Sequence, residues 1–172
     1  MKVVVTGGLG FIGSHTVVEL QTQGFEVVVI DNLSNSSVSV LDGIEKITGI
    51  KPAFEQIDLR EKEAVQNFFK KHADCIGLIH FAASKAVGES VQNPLLYYEN
   101  NISALVYVLQ ELTALPQANF IFSSSCTVYG QAEIMPITED APIQKAMSPY
   151  GNTKQIGEEI ITDTAKVTNI NA

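Results

Sequence analysis

The stretch KVVVTGGLGFIG, residues 2–13, runs from a short apolar segment through spaced glycines into an amphipathic one. Val3, Val4 and Val5 read as a strand covered on both faces, as in a parallel sheet. Gly8, Gly10 and Gly13 make G-x-G-x-x-G, and Gly7, Gly10 and Gly13 make G-x-x-G-x-x-G. Under either spacing the bare backbone lets an anion such as a pyrophosphate approach a helix N-terminus, where unpaired N–H groups and the dipole favour negative charge. A glycine triplet can also be no more than a tight strand-to-helix turn, so its surroundings decide. The second strand-like run, EVVVID, ends at Asp31, 18 residues past Gly13. A carboxylate at that point suits the two ribose hydroxyls of an adenosine. It would repel a 2′-phosphate, and the sequence places no arginine near it. The spacing therefore favours NAD over NADP.

Outward from this unit, apolar runs keep alternating with amphipathic stretches. KVVVT (2–6), EVVVID (26–31), AFEQID (53–58), CIGLIHF (75–81) and NFIFSSS (119–125) predict strands. Residues 12–23, 38–48, 61–72, 94–115 and 149–167 predict helices, with Gly24 and Gly49 as stops and Pro94 and Pro149 in first turns. This order predicts an α/β chain: a Rossmann-like, doubly wound parallel sheet with helices on both faces, one domain over residues 1–172. The connection 130–148, with Pro136 and Pro142, is long enough to suggest a functional loop.

Composition narrows the partners. The chain is 45% hydrophobic and carries a net charge of −8 without a basic tract, which argues against nucleic acid and anionic membranes. No apolar run is long enough to span a bilayer, and the glycines cut the N-terminal run too short for a signal peptide. Cys75 and Cys126 lack metal-ligand spacing and read as buried thiols of a cytoplasmic protein, so no metal is expected. A phosphate-bearing ligand would have to be held by backbone amides and a few placed cations.

Several residues carry two readings each. Asp58, closing the third strand, could accept from an adenine amino group or cap the next helix. Asn32, Asn35, Ser36 and Ser37 in DNLSNSS could be small donors or simply a turn. FAA (81–83) could let a cofactor pack closely or be plain core. His15 and His80 suit packing better than ligation.

SPYGNTK (148–154) sets Tyr150 and Lys154 at i and i+4, on one helix face. A phenol at its reference pKa of about 10 is a weak base at neutral pH, and a neighbouring cation favours the phenolate. A solvated helix pair is the plain alternative. Position argues for chemistry, because the pair follows a nucleotide fingerprint, five strands and the hydroxyl-rich strand end SSSCTVYG (123–130). There Ser125 and Thr127 are candidate donors, or Ser125 merely closes the strand.

Ser–Tyr–Lys behind a Rossmann half resembles the extended short-chain dehydrogenase/reductase superfamily. Within it, HFAASKAVGESVQNPLLYYENN (80–101), TGGLGFIGSHT (6–16), DNLSNS (31–36) and SSSCTVYG resemble the UDP-glucose 4-epimerase family over nearly all 172 residues. The resemblance implies a cofactor site for NAD at Gly7, Gly10, Phe11, Ile12, Gly13, Asp31, Asn32, Leu33, Ser34, Asn35, Ser36, Asp58, Leu59, Phe81, Ala82, Ala83, Ser84, Lys85, Asn100, Tyr150 and Lys154. It implies substrate contacts at Lys85, Ser125, Thr127 and Tyr150, with Ser125, Tyr150 and Lys154 catalytic. Tyr150 would take the 4-hydroxyl proton of UDP-glucose or UDP-galactose while hydride passes to NAD, giving a 4-keto sugar that turns and is reduced from the other face. Ala83, Ser84 and the GNT between Tyr150 and Lys154 depart from the usual pattern at non-catalytic positions. The absence of an acid beside Thr127 speaks against sugar dehydration. The family also implies a homodimer through helices 94–115 and 149–167. Its members have about twice this length, so the chain is expected to stop before a sixth strand and a C-terminal substrate domain, and to be inactive alone. Another sugar-nucleotide epimerase or reductase is the alternative within the superfamily, and a non-catalytic NAD-binding module the alternative outside enzymes.

Overall fold

A computed structural model describes residues 1–116, 118–132 and 134–172; Gln117 and Glu133, the latter in the loop expected over 130–148, lie outside the described residues. Six parallel strands, β1 (Lys2–Thr6), β2 (Glu26–Asp31), β3 (Ala53–Gln56), β4 (Cys75–His80), β5 (Ala118–Phe122) and β6 (Ile170–Asn171), lie in the order β3-β2-β1-β4-β5-β6. Val4 pairs in register with Val28 and Leu78, so β1 sits at the centre. The order reverses between β1 and β4, and a doubly wound sheet opens its ligand crevice at the carboxyl ends beside such a reversal. The doubly wound parallel sheet is as expected. One boundary is corrected: a sixth strand, placed beyond residue 172 by the sequence, has begun, with Ile170 opposite Ala118.

Helices α1 (Phe11–Thr22) and α2 (Val40–Thr48) cover one face, where Val5, Val17, Val29, Leu41 and Ile44 pack. On the other face α3 (Lys62–Lys71) packs with the helical segment after β4, and Val65 and Phe68 join Val4, Leu78, Leu105 and Phe120. Val4 and Val5 are both sealed from water and point to opposite faces, which is why β1 is apolar without alternation. Burying each such side chain contributes about 1.5–3 kcal/mol.

The helix expected over 94–115 is broken. A short helix, α4 (Val87–Gln92), precedes α5 (Pro94–Tyr98), a π-helical turn at Glu99–Ser103, and α6 (Ala104–Leu112). In α6, Leu105, Val108, Leu109 and Leu112 form the buried i, i+3, i+4, i+7 stripe of an amphipathic helix. The last helix, α7 (Pro149–Val167), starts with Ser148 capping the Gly151 N–H at 3.1 Å. The expected burial of both thiols is corrected: Cys75 is buried, but Cys126 is exposed because β5 ends at Phe122 and residues 126–129 turn outward as a 3-10 turn.

Gly157 fixes how close α7 comes to the sheet. A Cβ there would stand 2.9 Å from the Phe122 ring, whereas one at Gly43 in α2 would meet open space. Gly157→Ala is therefore expected to lower unfolding free energy by about 1–3 kcal/mol. Gly43→Ala should raise it by roughly 0.5–1 kcal/mol through helix propensity. Urea titrations of the two variants check the opposite signs.

Candidate active site

The turn between β1 and α1 is built by close backbone approach. Gly7 has φ +65°, and its N–H donates to Ile30 O at 2.8 Å. A Cβ on Gly7 would lie 2.7 Å from Ala82 N, and one on Gly13 would lie 2.3 Å from Gly7 O. These glycines bring the start of α1 against the ends of β1 and β4. Among the described residues no side chain caps α1, no acid stands in its first turn, and the first helical bond is Ser14 N–H to Gly10 O at 2.9 Å. The N–H groups of Phe11, Ile12 and Gly13 thus lack intrahelical acceptors.

They open onto a crevice of about 740 Å³ along the sheet's carboxyl edge. Its wall includes Gly7, Gly10, Phe11, Ile12, Gly13, Asp31, Asn32, Ser34, Asn35, Ser36, Asp58, Leu59, Phe81, Ala82, Ala83, Ser84, Lys85, Asn100, Tyr150 and Lys154. Three expected site residues stand elsewhere. Leu33, at φ +61°, packs its side chain against the cluster around Val5 and Leu9, because an apolar chain so close to the core gains more from burial than from the crevice. Ser125 and Thr127 are not in the wall, where Ser123 and Ser124 are found instead. The Ser125 hydroxyl caps the 3-10 turn, accepting from Thr127 N at 3.3 Å and Thr127 Oγ1 at 3.0 Å. Gly151, the residue after Tyr150, rests on Thr127, which keeps this turn beside the start of α7.

At the β2 end, Asp31 is held rather than free. Its Oδ2 accepts from Leu9 N at 3.1 Å, and its Oδ1 from Leu33 N at 2.9 Å and Ser36 Oγ at 2.7 Å. A carboxylate has about four acceptor sites, so roughly one stays open to a further donor. Asp58 is gripped by Arg60, whose Nε and Nη2 donate to it at 3.0 and 2.6 Å, and the guanidinium holds its carboxyl below the usual range. It does not cap α3, whose N-cap is Glu61. Arg60, the chain's sole arginine, also lines the crevice. It is distant from Asp31 in sequence, but the parallel neighbours β2 and β3 end side by side.

The middle wall is tied to α7 by residues that sequence spacing did not single out. Asn101, in the π-helical turn, accepts from Ser84 N at 2.8 Å and donates to Ser84 O and Thr153 Oγ1, each at 3.0 Å. Asn100 donates to Ser84 Oγ at 3.0 Å. Tyr97 is fully buried; its hydroxyl accepts from Ala86 N at 3.0 Å and donates to Glu89 at 2.7 Å, and burial with Glu89 pushes its pKa up to about 12. The pattern YYENN was the available signal, but only the fold shows which atoms it joins.

Tyr150 and Lys154 come together as the i, i+4 spacing requires. The Tyr150 ring packs edge-on against Tyr97, centroids 6.5 Å apart. Lys154, 4% exposed, donates to Ser123 O at 2.8 Å and lies 4.5 Å from the Phe122 ring centre and 6.0 Å from that of Tyr150. Burial pulls its ammonium down to about 8. Behind Phe122, buried His80 shares a 2.8 Å hydrogen bond with Thr6 Oγ1, and burial lowers its pKa to about 3, so it is neutral packing. His15 bonds Phe11 O from an exposed position. Among the described residues no cluster of three metal-ligating side chains exists.

The architecture has close counterparts. The chain is 48% identical over 166 residues to the UDP-glucose 4-epimerase of Haemophilus influenzae and 47% identical over 163 residues to that of Bacillus subtilis. These alignments cover 96% and 95% of the chain, which spans about half the length of the curated relatives it matches. Among solved structures, UDP-glucose 4-epimerase from Bifidobacterium longum in complex with NAD+ and UDP superposes with a TM-score of 0.93 at 39% identity. The enzyme from Stenotrophomonas maltophila with bound NAD and formylated UDP-arabinopyranose does so with 0.90 at 44%. Each superposition covers 96% of this chain and 49% of the other. The profile of the NAD dependent epimerase/dehydratase family matches residues 3–172, a span that includes every element walling the crevice, and on that match the chain belongs to this family.

Proposed function

We propose that this chain is the NAD-binding part of a UDP-glucose 4-epimerase. The observation that carries the reading is a single crevice shared by an uncapped helix start, the Asp31 carboxylate and the Tyr150–Lys154 pair. The donor set fits a dinucleotide: first-turn N–H groups of α1 for the pyrophosphate, Asp31 for an adenosine ribose hydroxyl, and Lys154 for the nicotinamide ribose. Bound there, NAD supplies a reversible hydride acceptor. Tyr150 takes the proton of the sugar 4-hydroxyl as C4 is oxidised and returns it as C4 is reduced. Lys154 keeps a positive charge beside that phenol. Lys85 faces the crevice without an ion-pair partner among the described residues and is assigned the substrate's phosphates. Ser125 and Thr127 are assigned the sugar hydroxyls: with Thr127 Oγ1 donating to Ser125 Oγ, the Ser125 O–H is left to donate and Thr127 Oγ1 to accept. UDP-glucose and UDP-galactose are the proposed substrates, within galactose metabolism. The free thiols suit the cytoplasm. A homodimer packed through α6 and α7 is part of the same proposal.

Fluorescence titration of the 172-residue chain with NADH tests the cofactor site. Saturable binding below about 1 mM, equivalent to roughly −4 kcal/mol, is expected. Asp31→Asn keeps the shape but removes a charge-assisted acceptor and should weaken binding about tenfold. A folded chain that does not bind NADH overturns the reading.

A further inference from the structure

Beside the crevice lies a second cavity of about 610 Å³, lined by apolar residues including Phe120, Phe122 and Ile161, and Ser124 lines both. Glu158 borders the second cavity alone. It stands four residues past Lys154 and eight past Tyr150, so all three share one face of α7. Its carboxylate accepts a hydrogen bond from Ser124 Oγ. The preceding carbonyl, Ser123 O, accepts the Lys154 ammonium. Two adjacent residues past β5 thus hold an anion and a cation from successive turns of one helix.

We propose that Glu158 is a positioning residue: held by Ser124 one helical turn past Lys154, its carboxylate keeps that side chain in the ammonium form at the edge of the cofactor crevice. The functional half of this statement rests on Lys154 being the cofactor-side cation. The buried ammonium has three N–H donors, and among the described residues the structure supplies one carbonyl, the Phe122 ring face and, at 6.0 Å, the Tyr150 ring, so it is short of compensation. Around it, α7 contributes Tyr150 and Glu158, and β4 contributes His80, neutral through burial. Phe122, Ser123 and Ser124 bring no charge. Among the described residues Glu158 is therefore the anion that opposes the desolvation lowering Lys154. Glycine at 157 adds to the geometry by letting this turn sit on Phe122.

Glu158→Gln preserves an acceptor for Ser124 and deletes only the charge. The test follows the Lys154 side-chain resonance against pH in the 172-residue chain labelled with 13Cε-lysine, assigned by its loss in Lys154→Met. The midpoint is expected to fall by about one pH unit in Glu158→Gln. In Ser124→Ala, where the carboxylate remains but loses its tether, a smaller fall is expected. A midpoint unmoved in either folded variant overturns the proposal. Ser124→Ala decides alone if Glu158→Gln does not fold. NADH affinity should fall as pH rises through the Lys154 midpoint, at a lower pH in Glu158→Gln than in the parent. The resonance titration needs no NADH, so failure of the electrostatic claim and failure of the cofactor reading are read separately.

Discussion

Tyr150→Phe is expected to lower epimerisation about 10²–10⁴-fold, the range for removing a general acid/base, in a polypeptide joining this chain to the substrate-side half of its relatives. NADH binding by the 172-residue chain should change little. The separation follows from where the hydroxyl sits. Among the described residues nothing hydrogen-bonds the Tyr150 hydroxyl, so its removal leaves no buried partner unsatisfied. The ring keeps its edge contact with Tyr97 and its place near Lys154. Stability should therefore hold within about 0.5 kcal/mol, the usual range away from packed or paired groups. Steady-state turnover of UDP-galactose, with a urea melt of the same variant, checks both halves. Near-normal turnover removes Tyr150 from the role of acid and base.

The sheet was legible because its central strands are covered on both faces. Val3–Val5, Val27–Ile30 and the β4 run are apolar throughout, and the period changes sharply at Gly24 and Gly49, so element order followed from burial alone. Local geometry set by one motif was legible too, such as the tight turn into α1 and the shared helix face of Tyr150 and Lys154. What escaped depends on contacts between segments far apart in sequence. The π-helical turn is held by Asn101 reaching Ser84 and Thr153, and no local propensity encodes those partners. Arg60 enters the crevice because β2 and β3 end together. Ser125 was read either as a donor or as the end of the strand, and the structure adds that its oxygen accepts from the backbone two residues on. Leu33, named together with its polar neighbours, is half-buried and packs its side chain against the core cluster.

Charge in the crevice is distributed in a way that fits an acidic chain. Asp31, Asp58 and Glu89 line it with Arg60, Lys85 and Lys154, so the wall carries no excess of positive groups. Arg60 is committed to Asp58 and Lys154 to Ser123 O. A pyrophosphate between these ends would meet mainly backbone N–H groups, and its affinity would depend on how closely the α1 turn admits it. Salt should weaken binding less than it would for a lysine-lined site, because fixed amide dipoles replace mobile ions.

That dependence makes Gly13→Ala the most disruptive small change in the turn. Its methyl group would fall 2.3 Å from Gly7 O and 2.8 Å from Gly8 Cα, and both obstacles are backbone. Relief requires α1 to back away from β1, breaking the seat of Gly7 against Ile30 O and Ala82. A loss of about 3 kcal/mol in unfolding free energy, the upper end for overpacking, is expected, with NADH affinity reduced at least 100-fold, roughly 2.7 kcal/mol. Gly10→Ala supplies the contrast. Its methyl would touch only Gly7 O, at 3.2 Å, and otherwise occupy open crevice. It should leave stability within about 1 kcal/mol, the scale of an ordinary substitution, yet still weaken NADH about tenfold by standing where the phosphates approach. If the turn serves only to pack strand against helix, Gly10→Ala will bind NADH as well as the parent. If it is the phosphate seat, the two alanines will separate: one loses fold and ligand together, and the other loses ligand alone.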